Sequence, residues 1–112
     1  MIMMANETAI LFDHRTESVT PVSFDGELKT LRILLRCKMI DTIRLDSDHI
    51  IIVDDESFLN KVKTGFALTY KGHRVEFAGS GLLTGDSYGQ SAPITLDLPD
   101  LKIDVLKFEY EG

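Results

Sequence analysis

The chain has 112 residues, 44% of them apolar, with a formal net charge of −6 and a pI near 4.9. That length accommodates one domain-sized core, and that apolar fraction excludes an intrinsically disordered chain. The negative charge works against nucleic acid and anionic membrane, which repel an acidic protein.

Cys37 is the only cysteine, so no internal disulfide framework and no thiolate zinc cluster can form within one chain. Residues 1–7 contain no Lys or Arg and no apolar stretch of signal length. Nowhere do ~18 apolar residues run together. A cytoplasmic protein without a membrane span is the resulting expectation.

In chain order, residues 8–12 form a short apolar β-type run ended by Asp13. Residues 18–24 alternate, with Val22 and Phe24 on one side, and Pro21 confines that strand to a sheet edge because it cannot donate a ladder hydrogen bond. Asp25 is placed to cap a helix over residues 26–37, with Leu28, Leu31, Leu34 and Leu35 on one face. Residues 39–45 and 49–53 flank Asp46-Ser47-Asp48 and read as a hairpin. Its second strand, apolar on both sides, belongs in the centre of a sheet.

Ser57 to Lys61 suggests one helical turn. Residues 65–70 and 74–79 form a second hairpin around Lys71-Gly72-His73, and the strand continues past a bulge near Gly79 and Gly81. Residues 86–93 read as a loop. Residues 101–110 alternate in two halves that fall out of phase at Val105-Leu106, which predicts a bulge or bend there. The sum is a single α+β domain over 1–112: one twisted, mainly antiparallel sheet with one amphipathic helix packed on a face.

Phe24-Asp25-Gly26-Glu27-Leu28, Ile40-Asp41-Thr42-Ile43-Arg44-Leu45-Asp46 leading into residues 50–56, and the closing stretch Phe77 to Asp86 follow one another in an order that resembles a family of small phage, plasmid and bacterial domains. It is the domain-of-unknown-function family numbered three-eight-four-six. The likeness covers residues 24–86. The segments outside it have no counterpart, and Arg36-Cys37-Lys38 stands where the family has glycines. A mobile-element origin is what the resemblance implies, and it brings no catalytic residue.

The residues themselves offer little chemistry. Asp46, Asp48, Asp54, Asp55 and Glu56 fall at opposite ends of a hairpin, and a calcium loop would need Gly where Ile51 stands, so turn chemistry accounts for them. The glycines from Gly79 to Gly89 lack the Gly-Lys-Ser/Thr of a phosphate loop. His14, His49 and His73 lie on separate elements and predict no metal site, and no cofactor is called for. Cys37 reads as a small core hydrophobe.

One feature stands against the acidic background. Lys29, Arg32 and Arg36, spaced i, i+3, i+7, would form a basic stripe along the helix. With the backbone of Gly85, Asp86 and Ser87 it is the candidate site for a ligand or an acidic partner, since guanidinium forks match phosphate. The favoured expectation is a non-enzymatic phage or mobile-element accessory protein that binds a host protein or defence component. It would self-associate through the edge strands 18–24 or 101–110. The alternative is a small-molecule binder that sequesters a nucleotide or other phosphorylated signal.

Overall fold

The computed structural model describes residues 7–110. The absence of an export signal was read from the sequence mainly at residues 1–6, which lie outside them. Among these residues nine strands and one α-helix follow in the order β1 (Glu7–Asp13), β2 (Ser18–Phe24), α1 (Leu28–Leu35), β3 (Ile40–Asp46), β4 (His49–Asp54), β5 (Thr64–Tyr70), β6 (His73–Ala78), β7 (Gly81–Ser87), β8 (Gln90–Ala92) and β9 (Leu101–Lys107), with a 3-10 turn over Leu98–Asp100 before β9. The sheet-rich α+β class stands, and every strand pair is antiparallel.

The single sheet expected from the sequence is instead two. A six-stranded sheet runs β2-β1-β7-β4-β3 with β8 added alongside β7, and a three-stranded sheet runs β6-β5-β9. The chain crosses between them at Gly79-Ser80. Gly79 holds a φ of +79° there, in the left-handed region that a side chain resists. What read as a strand continuing past a bulge is therefore a change of sheet.

The two sheets share a core. Phe12, Ile51, Val53 and Leu83 from the large sheet interlock with Phe66, Leu68, Val75 and Phe77 from the small one. Phe12 meets Phe66 and Phe77 edge-on at 5.4 and 6.0 Å between centroids. A second cluster joins Leu31 and Leu35 of α1 to Ala9, Phe24, Ile52 and Leu82. β4 thus sends Ile51 and Val53 into one cluster and Ile52 into the other, which is why its sequence lacks a polar face.

Helix α1 is shorter than the pattern suggested. Gly26, with φ +81°, delays its start, so Glu27 takes the N-cap position while the Asp25 carboxylate accepts the Glu27 N–H at 2.9 Å and the Thr30 hydroxyl at 2.8 Å. Those two bonds hold the Asp25 carboxyl below the usual range. Arg36 ends the helix in a left-handed conformation, φ 52°, with its N–H returned to the Arg32 carbonyl.

Three further expectations change. Lys71-Gly72 and Tyr88-Gly89 are two-residue connections with both φ positive, so the loop expected at Lys71-Gly72-His73 is one residue shorter than read and residues 86–93 contain the β7–β8 hairpin rather than a loop. Residues 57–61 form turns, with the Asn60 N–H on the Glu56 carbonyl at 2.9 Å, the i→i−4 bond of a single helical turn that is not continued. β9 has no bulge, since its register with β5 is unbroken from Thr64↔Lys107 to Tyr70↔Leu101. The phase change reflects two apolar faces: Val105 lies opposite buried Phe66, whereas Leu106 lies opposite Gly65, beyond which Phe108 packs edge-on against Phe58 at 5.6 Å.

Candidate functional site

The sequence-derived candidates occupy separate places. Lys29 pairs with Glu27 at 3.5 Å, and the Arg32 guanidinium donates to the Lys38 carbonyl at 3.2 Å. Arg36, no longer helical, lines a small recess together with Lys38, Asp54 and Glu56. The i, i+3, i+7 stripe is interrupted at its last member.

Gly85, Asp86 and Ser87 lie on β7 and pair with β8. Gly85 and Asp86 line a recess with Gly26 and Leu31, away from the recess that holds Arg36. The Asp86 carboxylate takes the Arg44 guanidinium at 2.6 Å, and the same guanidinium donates to the carbonyls of Asp46 and Ser47 at 3.2 Å each. The recess of about 720 Å³ above this pair holds a cation whose charge is already matched.

The aspartates at the β3–β4 turn do more than form the turn. His49 is 2% exposed, with Nδ1 2.9 Å from Asp46 Oδ1 and Nε2 3.0 Å from the backbone nitrogen of Thr95. A backbone N–H can only donate, so Nε2 carries the lone pair and Nδ1 the proton given to Asp46. An Asp–His pair of this kind invites a general-base reading. Here the basic nitrogen is already occupied, and the imidazole acts as a bracket. Among the described residues, no group of three His, Cys, Asp or Glu side chains comes together to hold a metal ion.

What the bracket holds is the segment between β8 and β9. The Thr95 N–H goes to His49 and the Asp97 N–H to the Tyr70 hydroxyl at 3.1 Å, while Leu96 is buried in the inter-sheet core. Thus pinned, the segment runs beside β1 and β2 and forms one wall of a groove of about 570 Å³. Ile10 and Pro21 lie on the strand side, Ile94 and Leu96 on the segment side, and the partly exposed Val19 and Leu98 at its margins. Binding grooves are commonly of this size and apolar character.

Sequence reasoning missed this groove. Its trace was present, because Ile94, Leu96 and Leu98 alternate with polar residues after Pro93. What the alternation could not disclose was that two side chains distant in sequence, His49 and Tyr70, would fasten that stretch beside β1.

No family model, curated protein or solved structure matches the chain. The resemblance over residues 24–86 therefore rests on its residues alone. No helix among the described residues is long and apolar enough to cross a membrane.

Proposed function

We propose that this chain is a non-enzymatic binding protein that engages an apolar segment of a partner protein in the groove between β1–β2 and residues 93–98. The observation that carries this reading is the fastening of the groove wall by His49 and Tyr70. A wall held before the partner arrives spares the ordering cost of binding. The engagement of both His49 nitrogens supports a structural rather than a catalytic role for the most buried titratable group. In the setting that residues 24–86 suggest, the partner is a host protein or defence component met in the cytoplasm by a phage or mobile-element accessory protein.

The test is affinity capture from host lysate with three versions of the chain. The wild type retains a partner, and Val19→Asp and Leu98→Asp, which place a charge at the groove margins, lose it while keeping the wild-type melting temperature. The triple variant Lys29→Ala, Arg32→Ala, Arg36→Ala keeps it. The opposite pattern, capture indifferent to the groove and dependent on the helix cations, removes the proposal and favours the phosphorylated-ligand alternative.

A further inference from the structure

Of the strands with an unpaired side, the three-residue β8 is too short to template another chain, which leaves four at the sheet ends: β2 and β3 in the larger, β6 and β9 in the smaller. An exposed strand edge invites pairing with another chain, and proteins ordinarily obstruct it. Three of these four are obstructed. Pro21 removes an N–H from the middle of β2, the β3 register slips between Arg44 and Asp46, and β6 runs alongside β3.

β9 has none of these devices. It contains no proline, keeps an unbroken register with β5 along seven residues, and has no second strand beside it among the described residues. From Leu101 to Val105 its face toward the inter-sheet core is apolar, with Ile103 opposite Leu68 and Val105 opposite Phe66, and Lys107 ends the row in an ion pair with Glu17. Leu68 and Phe66 are fully buried, yet Ile103 and Val105 remain 37% and 44% exposed. An apolar row that is complete on β5 is left half covered on β9.

We propose that a second copy of this chain covers that row, its β9 pairing antiparallel with the first across a two-fold axis at Ile103. The sequence of the strand selects both partner and register. With Ile103 opposite its own copy, Lys102 lies opposite Asp104 of the second chain and Asp104 opposite Lys102, while Leu101 faces Val105. Moving the register by two residues in either direction sets Asp104 against Asp104 or Lys102 against Lys102. Moving it by two more residues past Asp104 sets Ile103 against Lys107. An odd shift turns the apolar face of one copy toward the charged face of the other. Only the Ile103-centred pairing satisfies both faces, and it joins the two small sheets into one of six strands. Within one chain Asp104 already lies 3.7 Å from Arg74, an exposed contact that pairing extends into a network with Lys102 of the second copy. This inference is independent of the groove, whose partner binding can fail while the pairing stands.

Sedimentation equilibrium of the full chain at about 100 µM, far above a micromolar dissociation constant, tests it. The expected mass is twice 12.6 kDa. Lys102→Glu and Asp104→Lys each place two like-charged pairs across the axis, and each is expected to weaken the dimer about tenfold or more. The double variant Lys102→Glu/Asp104→Lys restores opposite charges and returns the dimer. Independently of these charges, Ile103→Cys in a Cys37→Ser background cross-links to its own copy on mild oxidation, because directly opposed antiparallel residues lie within disulfide reach, roughly 4.5–5.5 Å between Cα atoms. Lys102→Cys in the same background does not, being offset from its own copy. A wild-type monomer at this concentration, leaving the edge to a foreign strand, overturns the proposal. So does a dimer that neither responds to the charge reversals nor cross-links through Ile103→Cys.

Discussion

The Nε2 of His49 accepts the backbone N–H of Thr95 at 3.0 Å, joining the start of β4 to a segment 46 residues further along the chain. Because Nδ1 is given to Asp46, the ring makes one bond in each direction and has no basic nitrogen to spare. Replacing it with an apolar residue of similar bulk leaves the Thr95 backbone donor without its acceptor and costs the Asp46 carboxylate one of its hydrogen bonds. His49→Leu is therefore expected to cost about 1–3 kcal/mol in urea denaturation. Thr95→Ala, which keeps the N–H and loses only a hydroxyl at 3.4 Å, should cost under about 0.5 kcal/mol.

Asp46 gives this corner a pH dependence. Burial pushes its carboxyl up, but the Asp48 N–H and the His49 bonds outweigh burial and hold it below the ordinary aspartate range. A carboxylate depressed by folding stabilises the protein at neutral pH, and that stabilisation is lost as pH falls below the unfolded value near ~3.9 and through the folded one. Urea midpoints measured from pH 7 down to about 2.5 should show a shallower acid slope in Asp46→Asn than in wild type.

Gly79 is at the crossing between sheets, and two separate costs attend any side chain there. A Cβ would lie in the left-handed region and would also collide with the Ser57 hydroxyl. Gly72, at φ +83°, shares the first difficulty but has nothing within 4 Å of an added Cβ. Gly79→Ala should lose roughly 2–4 kcal/mol and Gly72→Ala about 1 kcal/mol, and thermal melting of the two variants separates strain from collision.

Tyr88 leads the β7–β8 turn with φ 53°, fully exposed, before Gly89 at φ 82°. Turns of this handedness favour Asn followed by Gly, and Tyr gains nothing here from packing. Tyr88→Asn should stabilise the protein by about 0.5–1 kcal/mol, read as a raised melting temperature.

Local pattern made much of the fold legible. Pro21 marked β2 as an edge, the uninterrupted apolar run of β4 marked a strand covered on both faces, and Leu31 and Leu35 marked the buried side of α1, from which Leu28 departs at 46% exposed. What the sequence concealed were relations between distant residues. Nothing near Gly79 distinguishes a bulge from a change of sheet, because a left-handed glycine can serve either. The shift at Val105-Leu106 suggested a bend because the pattern cannot tell a kinked strand from one with two apolar faces, the second created by Phe58 and Phe108. The helix cations were legible as charges, but their neighbours were not: Arg36 lines a recess to which Asp54 and Glu56 also contribute. The groove was the least legible, since its wall depends on bonds spanning 46 and 27 residues.

The position of β9 in the small sheet also has a consequence for synthesis. β5 is the middle strand, and one of its neighbours, β6, follows it at once, whereas the other, β9, is the last of the described strands to be translated. While a ribosome is still adding residues 71–107, the backbone of β5 that will later meet β9 has no partner, and Phe66 and Leu68 wait beside it. Neighbouring nascent chains on one message carry the same unfilled place at the same stage. A stall before Leu101 would thus leave the growing protein prone to entangle with its siblings, and the emergence of β9 ends that interval.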